Sequence, residues 1–169
     1  RCILGIGVGW SEAEFAALRV PFNKRGAMTN DYLAAIRELW TNDIASYDGK
    51  FIQFNKVQTA PQPLRKPHPP IWVGGSSDAA LRRTVRLADA WHPIRFTMDW
   101  LRKSGMPRLK AIAEEEGKPM PAVCPRIRLR IMEQHKLEED RYCGTGDLDQ
   151  VRDDLIVIEL SLIHISSPK

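Results

Sequence analysis

Apolar residues run almost unbroken from Cys2 to Val8 (CILGIGV), the pattern of a parallel strand covered on both faces. Polarity then changes. Ser11 stands three residues before Glu14, a capping box that opens a short helix over SEAEFAAL. From about Arg25 to Trp40, the side chains of Tyr32, Leu33, Ile36, Leu39 and Trp40 recur at helical spacing and predict one apolar face. Tyr47-Asp48-Gly49-Lys50-Phe51 carries the Asp-Gly signal of a tight hairpin, with Phe51 and Phe54 beside it. The segment TAPQPLRKPHPP holds five prolines in twelve residues and reads as an extended connector.

The second half repeats an alternation of strand and helix. Ile71-Trp72-Val73 is a short apolar strand ended by Gly74-Gly75. Ser76 or Ser77 is placed to cap the next helix, with Leu81, Val85 and Ala88 as its buried stripe. Ala90-Trp91-His92-Pro93 reads as a brief strand, and a helix over about Pro107 to Glu116 is closed by Gly117. Ile127, Leu129 and Ile131 alternate with Arg126, Arg128 and Arg130, which predicts a strand. Thr145 precedes a helix in which Leu148, Val151 and Leu155 align. The class expected is α/β with parallel strands. The last fourteen residues, IVIELSLIHISSPK, lose the polar face that this helix should keep. A domain over 1–155 followed by a foreign tail over 156–169 is expected, with a short terminal strand as the other reading of the tail.

Composition narrows the function classes. At 43% hydrophobic and 27% charged residues in 169, the chain can bury a real core and is neither disordered nor fibrous. No apolar run reaches the ~18 residues of a membrane span and no basic-then-apolar leader opens the chain, so a cytoplasmic protein without membrane contact is expected. The net charge of +4 and pI near 9.1 are mildly basic. Arg126, Arg128 and Arg130 form the largest cluster, and Arg82, Arg83 and Arg86 a second. Both can meet phosphates, and both can equally be solvated faces. No zinc-finger or RNP pattern accompanies them, so nucleic acid is not an expected partner. Cys2, Cys124 and Cys143 are odd in number and widely spaced, and His68, His92, His135 and His164 show no ligand spacing. Neither a disulfide framework nor a metal is expected.

Two glycine-rich strand ends are the candidates for chemistry. Gly5-Ile6-Gly7-Val8-Gly9-Trp10 would let backbone approach a flat ring or a phosphate, because no Cβ intervenes. Its spacing is G-x-G-x-G, whereas the dinucleotide fingerprint is G-x-G-x-x-G. Glycines that admit bulky neighbours in a tightly wound barrel explain it equally well. Gly74-Gly75-Ser76-Ser77 lies between strand and helix, where free amides, the helix dipole and two hydroxyls make an anion site. The same four residues also describe a plain turn with a cap. A hydrolase set of Ser77, Asp89 and His92 lacks the G-x-S-x-G elbow. Arg25, at the start of the long helix, can reach a phosphate or sit in water. Trp40 and Trp72 fit the core, while Trp10, Trp91 and His92 follow or end strands and are placed to line a pocket.

The order of these motifs, LGIGVGW, then EFAALRVPFNKRGAMTNDYLAAIRELW, then SYDGKFIQF, then PHPPIWVGGSSDAALRRTVRLADAW, resembles the luciferase-like monooxygenase superfamily, and most closely its members that use a deazaflavin. The resemblance covers about residues 1–155. It implies part of a (β/α)8 TIM barrel, about strands 4 to 8, with a hairpin inserted after the fourth strand. A complete barrel of this kind needs about 250 residues or more, and three strands are expected to precede this segment. The resemblance further implies a cofactor phosphate on Gly74, Gly75, Ser76 and Ser77. Gly7, Gly9 and Trp10 would touch the cofactor ring or its tail, Arg25 would contact the phosphate, and Trp91 and His92 would border the substrate.

The implied activity is that of an oxidoreductase or monooxygenase transferring hydride through a bound cofactor to a small-molecule substrate. The cofactor is coenzyme F-420, to which the Gly-Gly pair points, or FMN. No catalytic residue is assigned, because the substrate-lining groups of the family come largely from its first strands. Two alternatives stand beside this reading. One is a non-catalytic chain that folds partly or by homo-oligomerisation, and the other is a Rossmann NAD(P)-binding protein.

Overall fold

The computed structural model describes residues 2–137 and 141–163 and divides the chain into two compact units, 1–71 and 72–169. The first contains β1 (Leu4–Ile6), α1 (Glu12–Ala17), a 3-10 turn (Phe22–Lys24), α2 (Arg25–Thr41) and a hairpin of β2 (Ala45–Asp48) and β3 (Gln53–Val57). Ser11 caps α1 as its spacing predicts, Oγ accepting from the Glu14 N–H at 3.4 Å. Helix α2 buries Leu33 and Ala35, whereas Tyr32 on the expected apolar face stays exposed.

The hairpin is wider than a two-residue Asp-Gly turn. Asp48 pairs with Gln53, so four residues make the connection, closed by the Gly49 N–H on the Ile52 carbonyl at 3.0 Å. What holds this loop is Asp31 of α2, whose carboxylate accepts from the Phe51 N–H (2.6 Å), the Ile52 N–H (3.2 Å) and the Tyr47 hydroxyl (2.8 Å). Those bonds satisfy loop amides that a wider turn would otherwise leave open. The proline-rich connector is tied down too. Thr59 Oγ1 and Gln62 Nε2 both donate to the Leu39 carbonyl, at 2.9 and 3.0 Å, capping an end of α2 that lacks helical partners.

Strand β1 departs from expectation. Its run is only half-buried, and Ile3 is 48% exposed. The continuous apolar pattern therefore does not report cover on both faces within this unit. Gly5 and Gly7 leave its surface open, since a Cβ at either would meet nothing within 4 Å.

The second unit holds β4 (which begins at the boundary, Ile71–Val73), α3 (Asp78–Leu87), β5 (Ala90–Trp91), α4 (Met98–Trp100), a π turn (Leu101–Gly105), α5 (Met106–Glu115) and β6 (Ala122–Val123). Then follow β7 (Arg130–Ile131), β8 (Thr145–Gly146) and α6 (Leu148–Ile163). Every pairing here is parallel: Val73 with Trp91, Trp91 with Val123, and Arg130 with Thr145. Helices carry the chain between β4, β5 and β6, as parallel strands require. Trp91 sits at the centre of the core, fully buried among Leu81, Val85, Phe96, Leu101, Leu109 and Ile112.

Three expectations are corrected in this unit. Helix begins at Met98 rather than near Pro107, because Thr97 Oγ1 caps the Trp100 N–H at 3.1 Å and the π turn carries the helix into α5. The strand expected over 126–131 shrinks to Arg130–Ile131, with a bridge from Ile94 to Arg126. Its partner β8 is only two residues long, so Leu129 and Ile131 remain exposed despite their alternation. In α6 the inward face is Gln150, Val151, Asp154 and Ile158, while Leu148 and Leu155 face out.

Asp154 decides that orientation. Its carboxylate accepts from Arg141 Nη1 (2.6 Å), Arg141 Nη2 (2.9 Å) and the Gly144 N–H (2.8 Å), with both charged side chains buried. A carboxylate so deep must keep that partner, and the helix turns to allow it. Helix α6 runs on to Ile163, so 156–163 are helical rather than a terminal strand. The expected tail boundary at 155 falls inside α6, and the rest of the tail, 164–169, lies outside the described residues.

Candidate functional site

The loop after β4 is shaped by one backbone requirement. Gly75 has φ +102°, and a Cβ there would stand 2.9 Å from the Ala80 Cβ. Both facts demand glycine. Its carbonyl accepts from Trp91 Nε1 at 2.8 Å, so the core tryptophan anchors the loop from below. Ser77 is the N-cap of α3, its Oγ accepting from the Ala80 N–H at 3.3 Å. Gly75, Ser76 and Ser77 are exposed. A ten-residue helix thus begins at an open, glycine-cleared loop, an arrangement suited to an anion. Asp78 in the first turn would oppose that, but Arg108 is ion-paired to it and holds its carboxyl below the usual range.

Gly75 and Ser76 open onto a cavity of about 360 Å³, bordered also by Arg95, Thr97, Trp100 and Tyr142. Trp91, expected on a pocket wall, is instead wholly buried, because its indole N–H is needed by Gly75 and its ring fills the core. His92 is half-buried beside the Trp72 ring, centroids 5.4 Å apart, with Nδ1 2.5 Å from the Cys124 carbonyl. A carbonyl only accepts, so Nδ1 carries the proton. His92 does not border this cavity. Ser77 Oγ is committed to the cap, which leaves the hydrolase set without a free nucleophile.

The remaining candidates belong to the first unit. Gly7 is open, whereas Gly9 has φ +82° and a Cβ there would stand 2.7 Å from the Phe15 ring. Gly9 is therefore explained by local packing before any ligand is invoked. Trp10 is 86% exposed. Arg25 lies over the Phe22 ring at 3.7 Å and donates to the Phe22 carbonyl at 2.9 Å, while its Nε is buried with no partner among the described residues. The G-x-G-x-G segment is not followed directly by a helix, since α1 begins only at Glu12, and so it lacks the dipole of a dinucleotide fingerprint.

Of the two arginine groups, one is spent on structure. Arg82 pairs with Glu115 (2.6 Å) and Glu116 (3.0 Å), and Arg86 with Glu116 (2.7 Å), binding α3 to α5. Arg83 is buried, and burial lowers its pKa. Sequence pattern missed these pairs because the partners lie some 30 residues apart, beyond any helical spacing. Among the described residues no group of three or more His, Cys, Asp or Glu is placed to hold a metal, and no helix is long and apolar enough to cross a membrane.

Parallel strand–helix–strand units with an open glycine loop at a strand's carboxyl end define an α/β fold of the barrel or doubly wound class. The chain belongs to the luciferase-like monooxygenase family, whose sequence model matches residues 1–156. An uncharacterized protein of Mycobacterium tuberculosis is 32% identical over 132 residues, covering 72% of this chain and 46% of the relative. An FMNH(2)-dependent dimethylsulfone monooxygenase of Pseudomonas putida is 35% identical over 95 residues, 54% of this chain and 26% of that protein. Among solved structures, the monooxygenase RslO1 of Streptomyces bottropensis superposes with TM-score 0.72 at 16% identity, covering 94% of this chain and 57% of its own. The coenzyme F420 dependent tetrahydromethanopterin reductase of Methanopyrus kandleri gives 0.65 at 15% identity, over 79% and 42%.

The chain spans about half the length of the curated relatives it matches, or less. Its fold is a partial barrel of the luciferase-like type, and among the described residues the strands do not close into a ring. It is a member of an oxidoreductase family whose relatives take flavins or deazaflavins.

Proposed function

We propose that this chain supplies the phosphate-binding side of a flavin- or deazaflavin-dependent oxidoreductase acting on a small organic substrate. The observation that carries the proposal is Gly75. Its positive φ, the absence of room for a Cβ and the Trp91 bond to its carbonyl hold an open loop at the start of α3. A cofactor phosphate fits there, received by loop amides and the Ser76 hydroxyl with the helix dipole behind them. When bound, the cofactor supplies hydride chemistry, and the protein supplies position and electrostatics. Arg108 pairs with Asp78 and offsets its charge near the phosphate, and the Trp91 indole N–H ties the Gly75 carbonyl to the core.

Coenzyme F-420 is the cofactor we favour, on the Gly74-Gly75 pair, with FMN as the competitor. The setting proposed for this chemistry is the cytoplasm. Fluorescence titration of the chain with each cofactor tests the reading. Saturable binding of one of them is expected and identifies it, whereas no binding of either to a folded chain defeats the proposal. A second reading, self-association without catalysis, is favoured by the exposure of Ile3 (48%), Leu129 (61%) and Ile131 (62%). A monodisperse monomer in sedimentation would remove it.

A further inference from the structure

A second cavity of the second unit, about 640 Å³, lies outside the loop just described. Its cationic border consists of Arg95, Arg126, Arg128, Arg130 and Lys136. No carboxylate borders it among the described residues, and none of these five side chains is ion-paired there. The contrast with the helix α3 arginines is direct, for those are neutralised by Glu115 and Glu116. Arg126, Arg128 and Arg130 border the same cavity, together with Ile127, which also packs partly buried against the core.

Arg95 holds an unfavourable backbone, φ +53°, and lies 5.8 Å from the Tyr142 ring centroid. Strain at a non-glycine residue is kept only where the surroundings enforce it. Arg95 and Tyr142 border both this cavity and the smaller one that Gly75 and Ser76 open onto. The two concavities are therefore neighbours that share a wall.

We infer that the basic cavity is a second anion subsite, taking a carboxylate or phosphate group carried by the substrate or by an extended cofactor tail. Like charges gathered around one concavity, with no carboxylate among the described residues at its border, raise the local potential and attract such a group. Guanidinium groups then hold it through paired, charge-assisted hydrogen bonds. The inference deepens the proposed function and rests on it only for the identity of the ligand, not for anion binding itself.

Isothermal titration of the chain with citrate, and separately with pyrophosphate, tests it. The combined variant Arg126→Gln, Arg128→Gln, Arg130→Gln should bind both anions more than about tenfold more weakly than the parent chain. A control variant, Lys103→Gln, Lys110→Gln, Arg152→Gln, removes as much charge from exposed sites outside the cavity and should bind as the parent does. The parent's affinity should also fall as salt rises from about 50 to about 200 mM. Equal weakening in both variants, or no anion binding by the folded parent chain, overturns the subsite.

Two further arms separate the sources of the anion. Loss of F-420 affinity in the arginine variant with FMN affinity retained assigns the cavity to the cofactor tail. Retention of both cofactors with loss of citrate assigns it to the substrate. Failure of Ser77→Asp to weaken cofactor binding would defeat the phosphate loop while leaving this anion measurement intact.

Discussion

Asp154 shows how much one side chain can decide. It is buried with Arg141 and also receives the Gly144 N–H, fixing the turn before β8 to the inner face of α6. Removing one member of such a pair strands the other charge. Asp154→Ala should therefore cost about 3–5 kcal/mol in chemical denaturation, and a loss below 1 kcal/mol would show the pair to be solvated. Nearby Cys143 is pushed up to about 12, first by burial and then by the Asp154 charge. Burial likewise raises Cys124, whereas Cys2 is exposed. Iodoacetamide at mildly alkaline pH should label Cys2 first and Cys143 only on unfolding. Rapid labelling of Cys143 in the native chain would contradict its placement. At this scale the sequence revealed what depends on near neighbours. Ser11 and Ser77 cap the helices that their spacing predicts. The burial of Trp91 was not legible, because its partner, the Gly75 carbonyl, lies on another strand end and no local pattern marks that bond.

Among elements, the contact of α3 with α5 is electrostatic on its outer side. Asp78, Glu115 and Glu116 all have lowered pKa values, each with an arginine hydrogen bond as the largest cause: Arg108, Arg82 and Arg86 respectively. A carboxylate with a lowered folded-state pKa stabilises fully above its ordinary value, 3.8 for Asp78 and 4.5 for the two glutamates. That contribution is lost as pH falls through the lowered values. The melting temperature should thus drop as pH falls below the ordinary glutamate value of 4.5, and Glu116→Gln should flatten part of the drop. An unchanged slope in that variant would mean that the pairs contribute nothing. Asp31 acts in the same direction on the hairpin, its pKa lowered first by the Phe51 amide. Element types were mostly legible from periodicity, as in α2 and α3. Extent was not. The strand over 126–131 shortened because β8 offers only two residues, and the helix from Met98 was hidden because its cap, Thr97, is not followed by a regular apolar stripe.

For the molecule as a whole, the order of motifs carried more than any one of them. Strand, capping box, long helix, hairpin, proline connector and Gly-Gly-Ser-Ser loop occur in the order of the family whose model matches 1–156. The loop itself was legible because a glycine pair and a capping serine leave local marks. The basic cavity was only half legible. Three arginines at alternate positions were visible, but Arg95 and Tyr142 join them only through the fold. The central claim is that the loop over Gly74 to Ser77 receives a cofactor phosphate, and Ser77→Asp tests it most directly. Aspartate caps a helix as well as serine does, so α3 should survive while a negative charge enters the anion cradle. Cofactor titration of Ser77→Asp beside Ser77→Asn, which caps without charge, should show binding lost in the first and kept in the second. Equal cofactor affinity in the two variants would contradict the phosphate site.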